Sequence, residues 1–446
     1  MSSNKQVSIF WFRRDLRLED NAGLYHALKK GVPVLPIFIF DKLILNKLQD
    51  KRDSRISFIY KALQNINAEL KKYASGLLIR CGHPTEVWQK LLSEFDVVSV
   101  YTNRDYETYA KKRDLEISSL LNSAGIEYND YKDHVIFDRD EVLKKDGTPY
   151  TVFTPYSKVW KAKLVSTSVS QPKDSYFFKA YPSLKYASNF VKYKTGKILS
   201  LQSMGFETSK LEIPPLTISQ SLIKKYGENR DFPAVNGTSR LSIHFRFGTV
   251  SIREKARKAS SLSEVFLNEL IWRDFYSNIL NHFPHVESGP FRAKYAEIQW
   301  VNNEKHFELW KKGRTGYPIV DAGMREIMHT GHMHNRVRMI VASFLTKHLL
   351  IDWAWGEAYF AEKLLDFDLA SNNGGWQWAA GCGTDAAPYF RIFNPYSQQQ
   401  KFDKEFKYIN KWVPEFGTEE YPAPIIDHKE ARQRCLSVYK AALKEA

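Results

Sequence analysis

The sequence predicts an α/β N-terminal domain with a parallel Rossmann-like sheet, a long connector and an all-α C-terminal domain. Three observations lead there. Short apolar runs alternate with amphipathic stretches through residues 1–135, periodicity fades over 136–200, and helical spacing dominates 201–446. A chain of 446 residues is also too long for one core.

In the first segment the strand candidates are Val7–Phe12, Pro33–Phe40, Gly76–Cys81, Val97–Thr102 and Ile126–Tyr131. Amphipathic patterns at Ile56–Tyr73 and Pro84–Phe95 supply crossover helices. No GxGxxG follows the first strand. VSIFWFRRDLRLEDNAG puts arginines where a dinucleotide fold needs glycines, so a dinucleotide is not expected in the usual place.

Residues 136–200 are rich in Lys, Tyr, Ser and Pro and read as a surface-lying connector. Its length is unusual for a loop and points to function or docking. From residue 201, SLSEVFLNELIWRDFYSNIL, YPIVDAGMREIMHT and HNRVRMIVASFLTKHLLIDWAWGEAYFAEKLL repeat apolar residues near i, i+3, i+4 and i+7.

The formal net charge is +15, and residues 131–200 hold 13 Lys and Arg against 6 Asp and Glu. Such a balance favours a polyanionic partner; an inert basic surface is the plainer reading. No window approaches the roughly 20 apolar residues of a membrane span, and MSSNKQVSIF lacks a signal-peptide pattern. Cys81, Cys382 and Cys435 are scattered singly, so neither a zinc ribbon nor a disulfide framework is expected. The expected compartment is the cytoplasm.

Four segments concentrate chemistry, each with a bland counterpart. In Thr238–Ser251, hydroxyls beside Arg240 suit a phosphate cradle or a plain helix cap. In NELIWRDFY, Glu269 and Arg273 are an i, i+4 surface pair. Alternatively, Glu269 and Trp272 hold an uncharged heterocycle by a hydrogen bond and a stack. In HMHNRVRMI the two histidines are i, i+2, which is poor spacing for a shared metal, and Arg336 and Arg338 point to different helix faces.

The fourth segment is Asp366–Trp378. If wholly helical, it stacks Asp368, Asn372 and Trp376, and it turns Trp376 and Trp378 about 200° apart. Those two indoles then serve different surfaces. Gly374 and Gly375 imply a close approach to the backbone. A helix packed by two tryptophans and capped by acids is the alternative.

Taken in order, FWFRRDLRLEDN, YTVFTPYSKVW, TSRLS, NELIWRDFY, TGYPIVDAGMR, HMHNRVRMI and DLASNNGGWQWAAGCGTDAAPYFRIFNP span nearly the whole chain. Together they resemble the photolyase/cryptochrome family, and most closely its class I cyclobutane pyrimidine dimer photolyases. Other branches differ at single positions. They carry adjacent histidines where this chain has His334–Asn335, an aspartate at 372, or a tyrosine at 272. His332 is a departure, since many class I members have tryptophan there.

The resemblance implies FAD in the helical domain, active in its reduced anionic form. Tyr226, Thr238, Ser239, Arg240, Leu241 and Ser242 would hold its phosphates and nearby parts. Arg273, Asn335, Arg338, Asp366, Asp368 and Asn372 would contact the flavin and adenosine ends, with Asn372 facing flavin N5. It also implies light-driven repair of cyclobutane pyrimidine dimers flipped out of UV-damaged DNA. Trp272 and Trp378 would wall the dimer, Met339 would pack on it, and Glu269 would hydrogen-bond its base edges. Arg336, Arg391 and Lys401 would hold phosphates. Trp376, Trp353 and Trp300 match the family's electron-transfer chain, and no metal is implied.

An antenna pigment is expected in the N-terminal domain, but Tyr109–Ala110 stand where folate-type antennas need an Asn-Glu pair. A deazaflavin, a second flavin or no antenna stay open. The expected particle is a monomer. The alternative function is a blue-light receptor without repair activity. An output extension would normally accompany that role, and the chain ends about 40 residues after KFDKEF.

Overall fold

The computed structural model describes residues 6–167, 171–194 and 199–443. They form two compact units. The first comprises 1–138, 161–217 and 241–261; the second comprises 139–160, 218–240 and 262–446. This differs from a linear division at 135 and 200, because the chain passes between the units repeatedly.

The first unit is built on five parallel strands, β1 (Val7–Phe12), β2 (Val34–Asp41), β3 (Leu78–Gly82), β4 (Val97–Asn103) and β5 (Glu127–Tyr131). Their order is β3-β2-β1-β4-β5. Ile9 pairs with Leu35 on one side and Val100 on the other, in the centre of the sheet. β1, β2 and β4 are almost wholly buried because helices cover both faces, so their sequences read as continuous apolar runs. Helices α1 (Ala22–Lys29), α2 (Ser54–Lys71), α3 (Pro84–Glu94) and α4 (Thr108–Ser123) make the crossovers. Trp88 of α3 is fully buried against Trp11, with ring centroids 5.5 Å apart.

The arginines after β1 have a definite job. Arg14 binds Asp105 and Glu107, each at 2.9 Å, Arg17 binds Asp133 at 2.7 Å, and Arg13 pairs with Asp114. Burial works against ionising Asp133, but Arg17 and Arg253 hold its carboxyl well below the usual range. Tyr109 donates its hydroxyl to Asp41, and the Arg113 guanidinium lies over both Trp11 and Tyr109.

The stretch read as a connector is not a surface loop. It contains helix α5 (Phe153–Ser166), and Trp160 is fully buried, donating Nε1–H to Asp274 at 3.0 Å. Pro155 is the third helical residue, where a missing N–H costs nothing.

The second unit is helical. Its main elements are α6 (Glu264–His282), α7 (Pro318–Thr330), α8 (Asn335–Ser343), α9 (Trp353–Lys363), α10 (Leu369–Ala380) and α11 (His428–Leu443). A π turn, Phe344–His348, follows α8 and is wholly buried. Ile319, Val320, Val337, Val341 and Leu345 lie in the central core. Among the described residues, no helix is long and apolar enough to cross a membrane.

Candidate active site

Helix α10 organises the second unit's polar centre. Asp368 caps it, accepting from Ser371 N–H at 3.2 Å, and Gly381 ends it at φ 88°. Asp366 and Asp368 therefore precede the helix and do not belong to a continuous helix 366–378. The two indoles separate as the helical turn predicts. Trp376 is 2% exposed, while Trp378 is half-buried.

Trp376 packs edge-on against Phe360 at 5.0 Å and Trp310 at 6.1 Å. It also lies on Gly356 of α9, where a Cβ would sit 2.1 Å from the indole. Asn373 and Gln377 anchor the far side, donating to the Val286 carbonyl at 2.9 and 3.1 Å.

The paired glycines have different reasons. A Cβ on Gly374 would lie 2.3 Å from the Tyr276 ring, so the close approach there is the protein's own. A Cβ on Gly375 would meet nothing within 4 Å. One turn back, the Asn372 amide donates to Glu357 Oε1 at 2.8 Å and to the Glu357 carbonyl at 3.1 Å. With its N–H₂ so engaged, the Asn372 carbonyl oxygen is left to accept. Burial pushes the Glu357 carboxyl up, and the bond from Asn372 opposes that.

Arg338 holds Asp366 through Nη2, at 3.1 and 3.0 Å, and donates Nε–H to the Met333 carbonyl at 2.7 Å. Asn335 is exposed at the first position of α8. His334 caps that helix, its Nδ1 accepting from Arg336 N–H at 3.2 Å. Burial pushes the His334 imidazole down to about 4, which keeps Nδ1 an acceptor. Behind it, Glu326 accepts from Tyr408 Oη–H at 2.6 Å and faces His332 at 3.6 Å. The unusual histidine thus sits against a buried carboxylate.

Trp272 lies on α6, stacked on Phe153 with centroids 3.7 Å apart and planes at 3°. Glu269 is paired with Arg230, which overturns its reading as an ion pair with Arg273. Burial pushes the Glu269 carboxyl up, against the pull of Arg230. Tyr226 packs edge-on to Phe266 at 5.1 Å, and burial with Glu269 raises its hydroxyl above the usual value.

Arg336 binds Asp231 at 2.8 Å, lies over Phe402 at 4.4 Å and reaches Met339 Sδ at 3.7 Å. Arg391 and Lys401 are exposed, near the rings of Phe393 and Phe402. Trp353 opens α9 and is 7% exposed; Trp300 is half-buried, edge-on to Tyr439 at 6.1 Å.

Thr238, Ser239 and exposed Arg240, at φ 52°, close the segment 218–240 of the second unit. Leu241 and Ser242 open the segment 241–261 of the first. The short helix Ser242–Arg246 has Leu241 at its cap position with no side-chain cap bond, while Ser251 caps the following helix, accepting from Glu254 N–H at 3.1 Å.

Sequence reasoning did not single out Glu357, Arg230, Trp310 or Phe153. Glu357 lies 15 residues from Asn372, beyond any local spacing rule. Phe153 was visible only as part of YTVFTPYSKVW.

Two family models match the chain, one described as DNA photolyase over residues 8–174 and one as the FAD binding domain of DNA photolyase over 266–418. The deoxyribodipyrimidine photo-lyase of a Synechococcus species is 36% identical, covering 98% of each chain. A class III photolyase of Agrobacterium tumefaciens superposes with a TM-score of 0.86 at 32% identity, covering 100% of this chain and 99% of that one. An archaeal photolyase from Sulfolobus tokodaii, solved with two FAD molecules, gives 0.80 at 36% identity, covering 98% and 100%. The chain belongs to the photolyase/cryptochrome family. Its full-length relatives place it among the DNA photolyases, with a FAD-binding domain of that kind.

Proposed function

We propose that the protein repairs cyclobutane pyrimidine dimers in DNA, using FAD in the second unit and light as the energy source. The observation that supports this best is the oriented amide of Asn372, whose oxygen is left to accept a hydrogen bond. Such an oxygen suits a reduced flavin, which carries N–H at N5. The residues fit the group in other respects. Gly375 leaves backbone open, and Arg338, Asp366 and Asn335 supply donors and acceptors for the remaining rings.

When bound and photoexcited, reduced FAD supplies one electron, which returns after the ring of the dimer has opened. The chain does the rest. Trp272 and Trp378 present flat apolar surfaces for the two linked pyrimidines once flipped out, and Met339 adds a soft contact. Glu269 accepts from base N–H groups. Arg336, Arg391 and Lys401 hold the backbone without reading sequence. Trp376, Trp353 and Trp300 relay electrons when oxidised flavin must be reduced.

The proposal extends to a second chromophore in the first unit, where the Sulfolobus relative with two FAD molecules supports a second flavin. Half-buried Tyr109 and Arg113 offer aromatic and cationic surface for it. An absorption spectrum of the purified protein tests that part.

The main test is blue-light repair of an oligonucleotide carrying one thymine dimer. Fully reduced protein is expected to restore the thymines, and binding is expected to weaken steeply with salt. A fully reduced preparation that leaves dimers intact would instead fit the light-receptor reading.

A further inference from the structure

We propose that Phe153 is a positioning residue for lesion binding, acting through Trp272. This rests on reading Trp272 as a wall for the flipped dimer.

The two rings lie close and parallel. Their centroids are 3.7 Å apart and their planes 3° from parallel, so one face of the Trp272 indole is fully used. A ligand can stack only on the opposite face. Phe153 is not free to leave. It opens α5, and its N–H donates to Asp385 Oδ2 at 3.2 Å. Its ring also meets the edge of Phe275, which is fully buried, at 5.9 Å. Trp272 meets the same Phe275 ring at 5.6 Å.

The contacts continue to the other wall. Trp272 leans on Tyr276 at 5.4 Å, and Tyr276 rests on Gly374 of α10, the helix that bears Trp378. Asp385 lies in the turn after α10, in the left-handed region at φ 47°, a conformation that a non-glycine residue holds only when its surroundings impose it. Phe153 therefore bridges the segments carrying both proposed walls, touching one by its ring and the other by its backbone. Its place is in the angle of the Trp272 plane, and that angle decides how well a rigid, bent dimer is stacked.

The test measures affinity of the full-length holoprotein for dimer-containing and undamaged oligonucleotides, together with repair per photon at saturating DNA. Phe153→Leu is expected to weaken dimer binding about tenfold. Undamaged-DNA affinity, flavin content and repair per photon at saturation should stay within about twofold, and Phe153→Tyr should restore binding. On a Trp272→Ala background Phe153→Leu should add no further loss, since both act on one contact.

Unchanged or tighter dimer binding in Phe153→Leu overturns the proposal; tighter binding would make Phe153 an occupant of the lesion's place. So would additive losses in the double variant. If the leucine variant does not retain flavin, Phe153→His serves, with a smaller loss expected and unchanged binding counting against the idea. Trp272→Ala alone reports on the underlying reading. If it binds dimers normally, Trp272 is no wall, whatever Phe153 does.

Discussion

Asn372 and Glu357 are locked together by two hydrogen bonds from one amide, to the carboxylate at 2.8 Å and to the carbonyl at 3.1 Å. An amide can turn over and exchange its oxygen for its nitrogen; this one is held against doing so. Taking away the carboxylate half of the lock, with the backbone carbonyl left in place, should therefore loosen the amide without emptying the flavin site. Glu357→Ala is expected to keep FAD but to speed air reoxidation of reduced protein by roughly tenfold, the worth of one hydrogen bond. Stopped-flow absorption after reduction checks this, and an unchanged rate would separate Glu357 from flavin redox preference.

Trp378 is half-buried on a helix whose other face is anchored by Asn373 and Gln377. Trp378→Ala should leave FAD bound and weaken dimer affinity by roughly ten- to a hundredfold, from about 1–3 kcal/mol of lost stacking. Fluorescence anisotropy with a labelled lesion duplex gives the number. Full retention of affinity would exclude Trp378 as a wall.

Trp376 is enclosed by Phe360, Trp310 and Gly356. Trp376→Phe fits the same space and should slow photoreduction of oxidised flavin strongly. Protein reduced chemically beforehand should still repair. Transient absorption under blue light compares the two, and normal photoreduction would remove Trp376 from the relay.

Arg230 opposes the upward push of burial on the Glu269 carboxyl. In Arg230→Met that restraint is gone, so the carboxyl should protonate at higher pH than in the native protein. Dimer affinity in the variant should then begin to decline at a higher pH on acidification than in the native protein, because a protonated Glu269 is a poorer acceptor for base N–H groups. Parallel pH profiles in the variant and the native protein would disconnect the pair from recognition.

How much of this was readable beforehand follows from the range of each interaction. The five strands were legible as short apolar runs between amphipathic stretches, and the opposite facing of Trp376 and Trp378 follows from period 3.6; both signals are local. The arginines of the first loop were noticed for what they exclude, but their partners Asp105, Asp114 and Asp133 lie some 90–120 residues on. Helix α5 was missed because its first turn holds a proline and its buried positions mix Tyr156, Ser157 and Trp160 with a single aliphatic residue, Leu164. Glu357, Arg230 and Phe153 escaped notice because each acquires its role only from a partner brought close by tertiary folding.

Burial pushes the His334 and His348 imidazoles down to about 4 and about 3. Both are enclosed, His348 against Phe344 and within 2.8 Å of His428. The unfolded chain takes up these protons near pH 6.5, whereas the folded chain does so only at the lower values. Between about pH 6.5 and 4 the unfolded state binds more protons, so stability falls as pH falls, by up to about 1.4 kcal/mol per unit for each histidine. Urea midpoints at pH 7 and 5 should show that decline, and His348→Asn should flatten it.

Gly356 closes one engineering route. Replacing a helical glycine by alanine ordinarily adds roughly 1 kcal/mol of stability, which makes such positions attractive for hardening a light-exposed catalyst against heat. Here the added methyl would lie 2.1 Å from the indole of Trp376. The substitution would push the proposed electron relay out of its seat, so thermal robustness must be sought elsewhere on α9.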